Sequence, residues 1–138
     1  MKEKKQAANW YIGATHFLTA GFVMPLLVNL IGGLLIYSIF KEGVIAQISS
    51  LFLLVLAIWL GVKYSSNYIT KNYVIKNIDE VIKFSLAFFL LSFIYLISQI
   101  LNKKIVGLDI LFSSVRLILS IGLFYFFSKK YLHNSEIK

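Results

Sequence analysis

The sequence contains no cysteine, only one proline and few charged residues, and these shortages exclude several classes of protein. Without cysteine the chain has no disulfides, thiolate nucleophiles, iron–sulfur clusters or cysteine zinc sites. Charged residues make up 14% of the chain and hydrophobic residues 59%, whereas about 25% of a soluble domain is charged. The composition therefore predicts an integral membrane protein.

Charged residues divide the chain into four apolar blocks, and the first is too long for one straight crossing. It is uncharged from Gln6 to Phe40, and as one helix its 35 residues would extend about 52 Å, at about 1.5 Å per residue. A bilayer core is about 30 Å thick and needs roughly 20 apolar residues. Because Pro25 removes a backbone donor, we expect a break at 21–25 that separates an amphipathic interfacial helix from the first span.

The predicted fold is an all-α integral membrane protein. It forms a single domain of four transmembrane helices preceded by the N-terminal interfacial segment. We expect that segment at 8–20, spans at about 22–40, 44–62, 84–101 and 108–128, and a polar loop at 63–83. Within the loop, Asn77 followed by Asp79 and Glu80 predicts an N-cap and an acidic first turn for the third helix.

The lysines predict the orientation of the bundle. The net charge is +8, but the cations lie at the ends of apolar blocks rather than on one face that would bind nucleic acid. Ten lysines lie in the termini and the 63–83 loop, and three lie in the two short turns, namely Lys41, Lys103 and Lys104. The positive-inside rule then predicts that both termini and the loop lie in the cytoplasm. We expect the protein to lie in a prokaryotic inner membrane. Lysines of the loop are also placed to contact anionic lipids of the inner leaflet.

Arg116 is the most informative residue, because it lies near the middle of an otherwise uncharged stretch that runs from Ile110 to Ser128. A central arginine costs at least about 2.5 kcal/mol on insertion scales, so it needs a partner or a purpose. Asp109, Ser113 and Ser120 share its helical face. Ser113, Arg116 and Ser120 follow Asp109 by four, seven and eleven residues, which is helical spacing. Polar residues of the other spans complete the predicted solute path or interface, namely Asn29, Gln47, Ser92 and Gln99.

Two interpretations of these residues stay open. Polar side chains often only join neighbouring helices, and each such hydrogen bond contributes about 0.6 kcal/mol to stability. Ala57 and Gly61 are two small residues four apart, a spacing that allows close helix approach. Arg116 would be structural if Asp109 or Gln99 satisfied it. Alternatively, Arg116 serves a solute path, a lipid headgroup site or a partner interface, facing either the bundle interior or another subunit.

The leading hypothesis is a membrane transport or permeation protein, or the membrane subunit of a transport complex, for an anionic solute or a lipid-linked group. A guanidinium binds phosphate and carboxylate with two parallel hydrogen bonds. The alternative is a non-transporting interaction protein, such as an assembly factor, an accessory subunit or a toxin-immunity protein. Because four short helices enclose little room, we expect a homo-oligomer or a membrane-protein complex.

No catalytic motif, P-loop or dinucleotide fingerprint occurs in the sequence, so we do not expect an enzyme. We also expect no metal or cofactor. The two histidines, His16 and His133, lie near the inner interface and in the C-terminal tail, and no carboxylate spacing supports a metal site.

Overall fold

Four long apolar helices make up the computed structural model, which describes residues 4–40 and 43–133. The N-terminal helix consists of α1 (Asn9–Phe17), a π-helical segment (Leu18–Val23) and α2 (Met24–Phe40). The other elements are β1 (Lys5–Gln6), α3 (Val44–Asn72), β2 (Tyr73–Val74), α4 (Ile78–Leu101) and α5 (Leu108–His133). All four helices are long and apolar enough to cross a bilayer, so the protein is a multi-pass, all-α membrane protein.

The N-terminal helix is irregular where the proline was expected to break it, but it stays helical. The Met24 N–H bonds the Thr19 carbonyl, five residues earlier, instead of the usual four. The ring of Pro25 would clash with the carbonyl of Gly21 in a regular helix, and the wider π turn gives it room. A π-helical turn therefore replaces the expected break, while the depth of residues 8–20 in the membrane stays a prediction.

The segment expected as a polar loop at 63–83 is helical over most of its length. α3 continues ten residues past the predicted end of its span, from Val62 to Asn72, and α4 begins at Ile78. Asn77 Oδ1 accepts a hydrogen bond from the Glu80 N–H at 3.1 Å, which confirms the predicted N-cap. Between these helices, β2 pairs in parallel with β1, in the register Lys5↔Tyr73, and ties the N-terminus to this connection.

The helices pack most closely at glycines. A Cβ added to Gly13 would lie 2.9 Å from the Val81 carbonyl oxygen, so α1 crosses α4 almost backbone to backbone there. A Cβ on Gly61 would lie 3.0 Å from the backbone of Ala20. The close approach predicted for the second span thus occurs, and its neighbour is the π-helical segment.

The buried residues lie at one end of the bundle. We call this end the terminal half, because the first and last described helices begin and end there. It comprises α1, the π-helical segment, 54–72 of α3, 78–89 of α4 and 124–133 of α5. The hairpin half comprises the rest of the described helices: α2, 44–53, 90–101 and 108–123. Every buried apolar side chain of the described residues belongs to the terminal half, from Ile12 on α1 to Leu132 on α5.

The turn between α4 and α5 holds an unusual lysine. Lys103 has a φ of 54°, in the left-handed region that favours glycine. Its N–H bonds the Ile100 carbonyl, and the Lys104 N–H bonds the Gln99 carbonyl, both at 3.0 Å. These two bonds form the Schellman motif that ends many helices.

Candidate functional site

Arg116 lies in the hairpin half, about 12 Å along α5 from its first residue, at about 1.5 Å per residue. It is partly buried, and its Nη2 donates to Asn29 Oδ1 on α2 at 2.8 Å. The Asn29 amide nitrogen donates to the Pro25 carbonyl at 2.6 Å, which directs the amide oxygen toward the guanidinium. The chain's single arginine is therefore held by a neutral partner that sequence reasoning did not assign to it.

No carboxylate among the described residues forms an ion pair with Arg116. Within the described ranges 4–40 and 43–133, the one contact between a basic side chain and a carboxylate within 4.0 Å is that of His133 Nε2 with Asp79 Oδ1, far along α5 from Arg116. Asp109, which was considered as the structural partner, instead accepts a hydrogen bond from Gln47 Nε2 at 3.3 Å. A guanidinium without a counter-charge in a membrane-spanning helix is available to an anionic ligand.

A first groove beside Arg116 runs between α3 and α5 and has a volume of about 290 Å³. Its lining includes four of the predicted site residues, namely Gln47, Asp109, Ser113 and Arg116. Asp109 is exposed and lies two turns nearer the hairpin end than Arg116. Gln47 Oε1 is buried and has no hydrogen-bond partner among the described residues. The end of this groove nearest the turns therefore presents acceptors and a negative charge.

A second groove, of about 230 Å³, runs between α4 and α5 on another side of Arg116. Its polar lining consists of Arg116 and the three serines Ser92, Ser113 and Ser120. Ser120 Oγ donates to the Arg116 carbonyl at 2.7 Å, whereas the described structure gives the hydroxyls of Ser92 and Ser113 no partner. Leu96 and Leu117 supply the apolar part. Among the described residues, this groove therefore combines a cation with free hydroxyls and has no carboxylate in its lining.

The structure thus brings together seven of the eight predicted residues. Asn29 bonds Arg116, Gln47 bonds Asp109, and Ser92, Ser113 and Ser120 line a groove with the arginine. Gln99 lies apart, because in the part of the chain that is described its side chain makes no hydrogen bond and lines neither groove.

A second polar arrangement lies in the terminal half and was not foreseen. His16 Nδ1 and Nε2 lie 2.8 Å from Ser65 Oγ and Ser128 Oγ respectively, and all three side chains are buried. A neutral imidazole has one donor and one acceptor, so one serine accepts a hydrogen bond and the other donates. The His16 ring also lies 5.0 Å from the ring of Phe124. This His16 cluster joins α1, α3 and α5, and both ring nitrogens are already engaged by serine hydroxyls.

Comparison with protein families, with curated proteins and with solved structures gives no match to this chain.

Proposed function

We propose that the protein binds an anionic group at Arg116 and acts in the membrane transport of an anionic solute or lipid-linked group, alone or as the membrane subunit of a transport complex. The observation that carries the proposal is the guanidinium, which has no carboxylate partner among the described residues and lies where two grooves meet. A bound phosphate or carboxylate would supply the counter-charge and accept two parallel hydrogen bonds.

Only part of the guanidinium is engaged within the protein. A guanidinium has five N–H donors, and Asn29 accepts one hydrogen bond from it among the described residues. A structural arginine in a membrane is expected to be more fully paired, because unsatisfied polar groups in hydrocarbon cost several kcal/mol. The remaining N–H donors therefore favour a ligand-binding role for Arg116 over a purely structural one.

Reconstitution tests the proposal directly. Proteoliposomes of the wild-type protein, Arg116→Gln and Arg116→Lys would be compared for release of radiolabelled inorganic phosphate and for transbilayer movement of a fluorescent phosphatidylglycerol. We expect wild-type flux of one probe, with at least a tenfold loss in Arg116→Gln and a clear loss in Arg116→Lys, which lacks the planar fork. Equal flux in all three proteins would rule out a role for the arginine.

The orientation belongs to the same proposal. With both termini in the cytoplasm, the two grooves lie in the outer part of the bilayer, because they are in the hairpin half. Reporter fusions at Lys138 and in the 41–43 turn test this by reporting opposite sides. An external reporter signal at Lys138 would reverse the orientation and move the arginine to the inner leaflet.

A non-transporting interaction protein is the second candidate, and α2 is the observation that favours it. No residue of α2 is buried, so much of this helix is free to contact another membrane protein. Purification from native membranes in mild detergent, followed by mass measurement, separates the two candidates. A stoichiometric partner, together with no flux of either probe from the protein alone, would favour the interaction protein over the transporter.

A further inference from the structure

We infer that the groove between α4 and α5 receives the phosphate-bearing headgroup of a membrane lipid, which enters sideways from the bilayer and binds Arg116. The inference rests on the proposed function, because it names the ligand class of the same arginine. It goes further by selecting one of the two grooves and by excluding a soluble anion as the ligand.

The groove between α3 and α5 is unfavourable for an anion that comes from water. Asp109 lies at the end nearest the turns, so an entering anion would meet a carboxylate before it reached Arg116. The buried Gln47 Oε1 adds a second acceptor without a donor. The Asp109 carboxylate repels an anion that approaches along this route, so the α3–α5 groove is the less favourable of the two for an anionic ligand.

The groove between α4 and α5 has the opposite chemistry. Its hydroxyl groups, from Ser92 and Ser113, have no partners in the described structure and can donate to phosphate oxygens. Arg116 supplies the positive charge, and none of the described residues that line the groove is a carboxylate. A phosphate group therefore finds both a counter-charge and hydrogen-bond donors there.

The residues beside this groove are those of a lipid-facing surface. Leu91 and Phe93 flank Ser92 in sequence and are 61% and 50% exposed, and Ile118, next to Leu117, is 70% exposed. In a bilayer these side chains contact acyl chains. The groove is thus open to hydrocarbon rather than to water, and a ligand that keeps its tails in the bilayer while its phosphate lies among serines satisfies both surroundings.

Native mass spectrometry of the full-length protein in detergent tests the inference. The probes are dioleoyl phosphatidic acid, dioleoylglycerol, which has the same chains without phosphate, and inorganic phosphate as a competitor. We expect phosphatidic acid to bind at least tenfold better than dioleoylglycerol, and excess inorganic phosphate not to displace it. Arg116→Gln should weaken binding roughly ten- to a hundredfold, as expected for a lost charged hydrogen-bond pair.

Two filling variants distinguish the grooves. Ser92→Leu, or the smaller Ser92→Val if the leucine variant does not fold, narrows the α4–α5 groove and should weaken phosphatidic acid binding about tenfold. Ser50 lines the α3–α5 groove, so Ser50→Leu narrows that groove and should leave phosphatidic acid binding unchanged.

Displacement by inorganic phosphate, or sensitivity to Ser50→Leu alone, would overturn the lipid inference and leave the anion-binding proposal standing. Absence of any binding that depends on Arg116 would overturn both.

Discussion

The terminal half and the hairpin half use similar helices for different purposes. In the terminal half, most buried polar side chains are hydrogen-bonded: His16 bonds two serines, and Ser85 Oγ bonds the Gly13 carbonyl at 2.9 Å. The exceptions among the described residues are Ser66 Oγ and Asn9 Oδ1, which are buried without a partner. In the hairpin half, Arg116 has one neutral partner and lies on two open grooves. Paired polar groups fix a structure, whereas partly paired ones are available to a ligand. The comparison favours a stabilising role for the polar groups of the terminal half, and it supports the proposal that the hairpin half binds a ligand.

The largest expected effect is the loss of the His16 cluster. His16→Ala leaves two buried serine hydroxyls without their partner and opens a cavity, so it should lower the unfolding free energy by about 2–4 kcal/mol. The free energy is measured by titration with sodium dodecyl sulfate in mixed micelles.

His133→Ala is the matched control for His16→Ala. His133 lies near the end of α5, where its ring bonds the Lys129 carbonyl at an exposed position, so its loss should cost less than about 0.5 kcal/mol. Equal losses in the two alanine variants would contradict the assignment of stability to the His16 cluster.

The second effect concerns the close crossing of α1 and α4. Gly13→Ala places a methyl group 2.9 Å from the Val81 carbonyl oxygen and should cost about 1–3 kcal/mol through forced backbone separation. Gly122→Ala, in the hairpin half, meets no atom within 4 Å and should be neutral or slightly stabilising because alanine favours the helix. The same titration measures both variants. If Gly122→Ala costs as much as Gly13→Ala, the hairpin half is packed more tightly than described.

A smaller effect is the coupling between Arg116 and Asn29. A double-mutant cycle with Arg116→Gln and Asn29→Ala should give a coupling energy of about 0.6 kcal/mol, and at most about 1.7, the range of hydrogen bonds between membrane helices. A cycle that combines Arg116→Gln with Asp109→Asn should give a coupling energy near zero, because Asp109 bonds Gln47 and not Arg116. A larger coupling to Asp109, with full recovery of stability in that double mutant, would make Arg116 half of a structural ion pair.

Sequence reasoning reached the hairpin half better than the terminal half, for a physical reason. A charge in an apolar run is a strong signal, and helical spacing placed Ser113 and Ser120 on the face of Arg116. Both serines line the α4–α5 groove with the arginine, while their functional role stays a prediction. The partner on α2 was harder to identify, because the π turn changes the rotation of every later residue. Asn29 could be named as a candidate but not paired with the arginine.

The His16 cluster gave no comparable signal. Ser65 and Ser128 resemble any other serine near a helix end, and their pairing depends on the extension of α3 beyond Val62. That extension was missed because 63–72 is polar enough to be taken for a loop. The signal that could have revealed it is the continued helical spacing of Val62, Ser65 and Ile69, all of which are buried.

The smallest expected effect is a gain at the turn of the hairpin half. Lys103 holds a left-handed conformation that costs an L-residue roughly 1–2 kcal/mol, and glycine adopts it freely but loses more backbone entropy on folding. Lys103→Gly should therefore raise the unfolding free energy by about 0.5 kcal/mol, measured by the same titration. Lys104→Gly is the matched control, because Lys104 is outside the left-handed region, and it should give no gain. Phosphatidic acid binding should not change in either variant, since neither lysine lines a groove beside Arg116. A loss of stability in Lys103→Gly would show that the turn does not adopt the Schellman geometry.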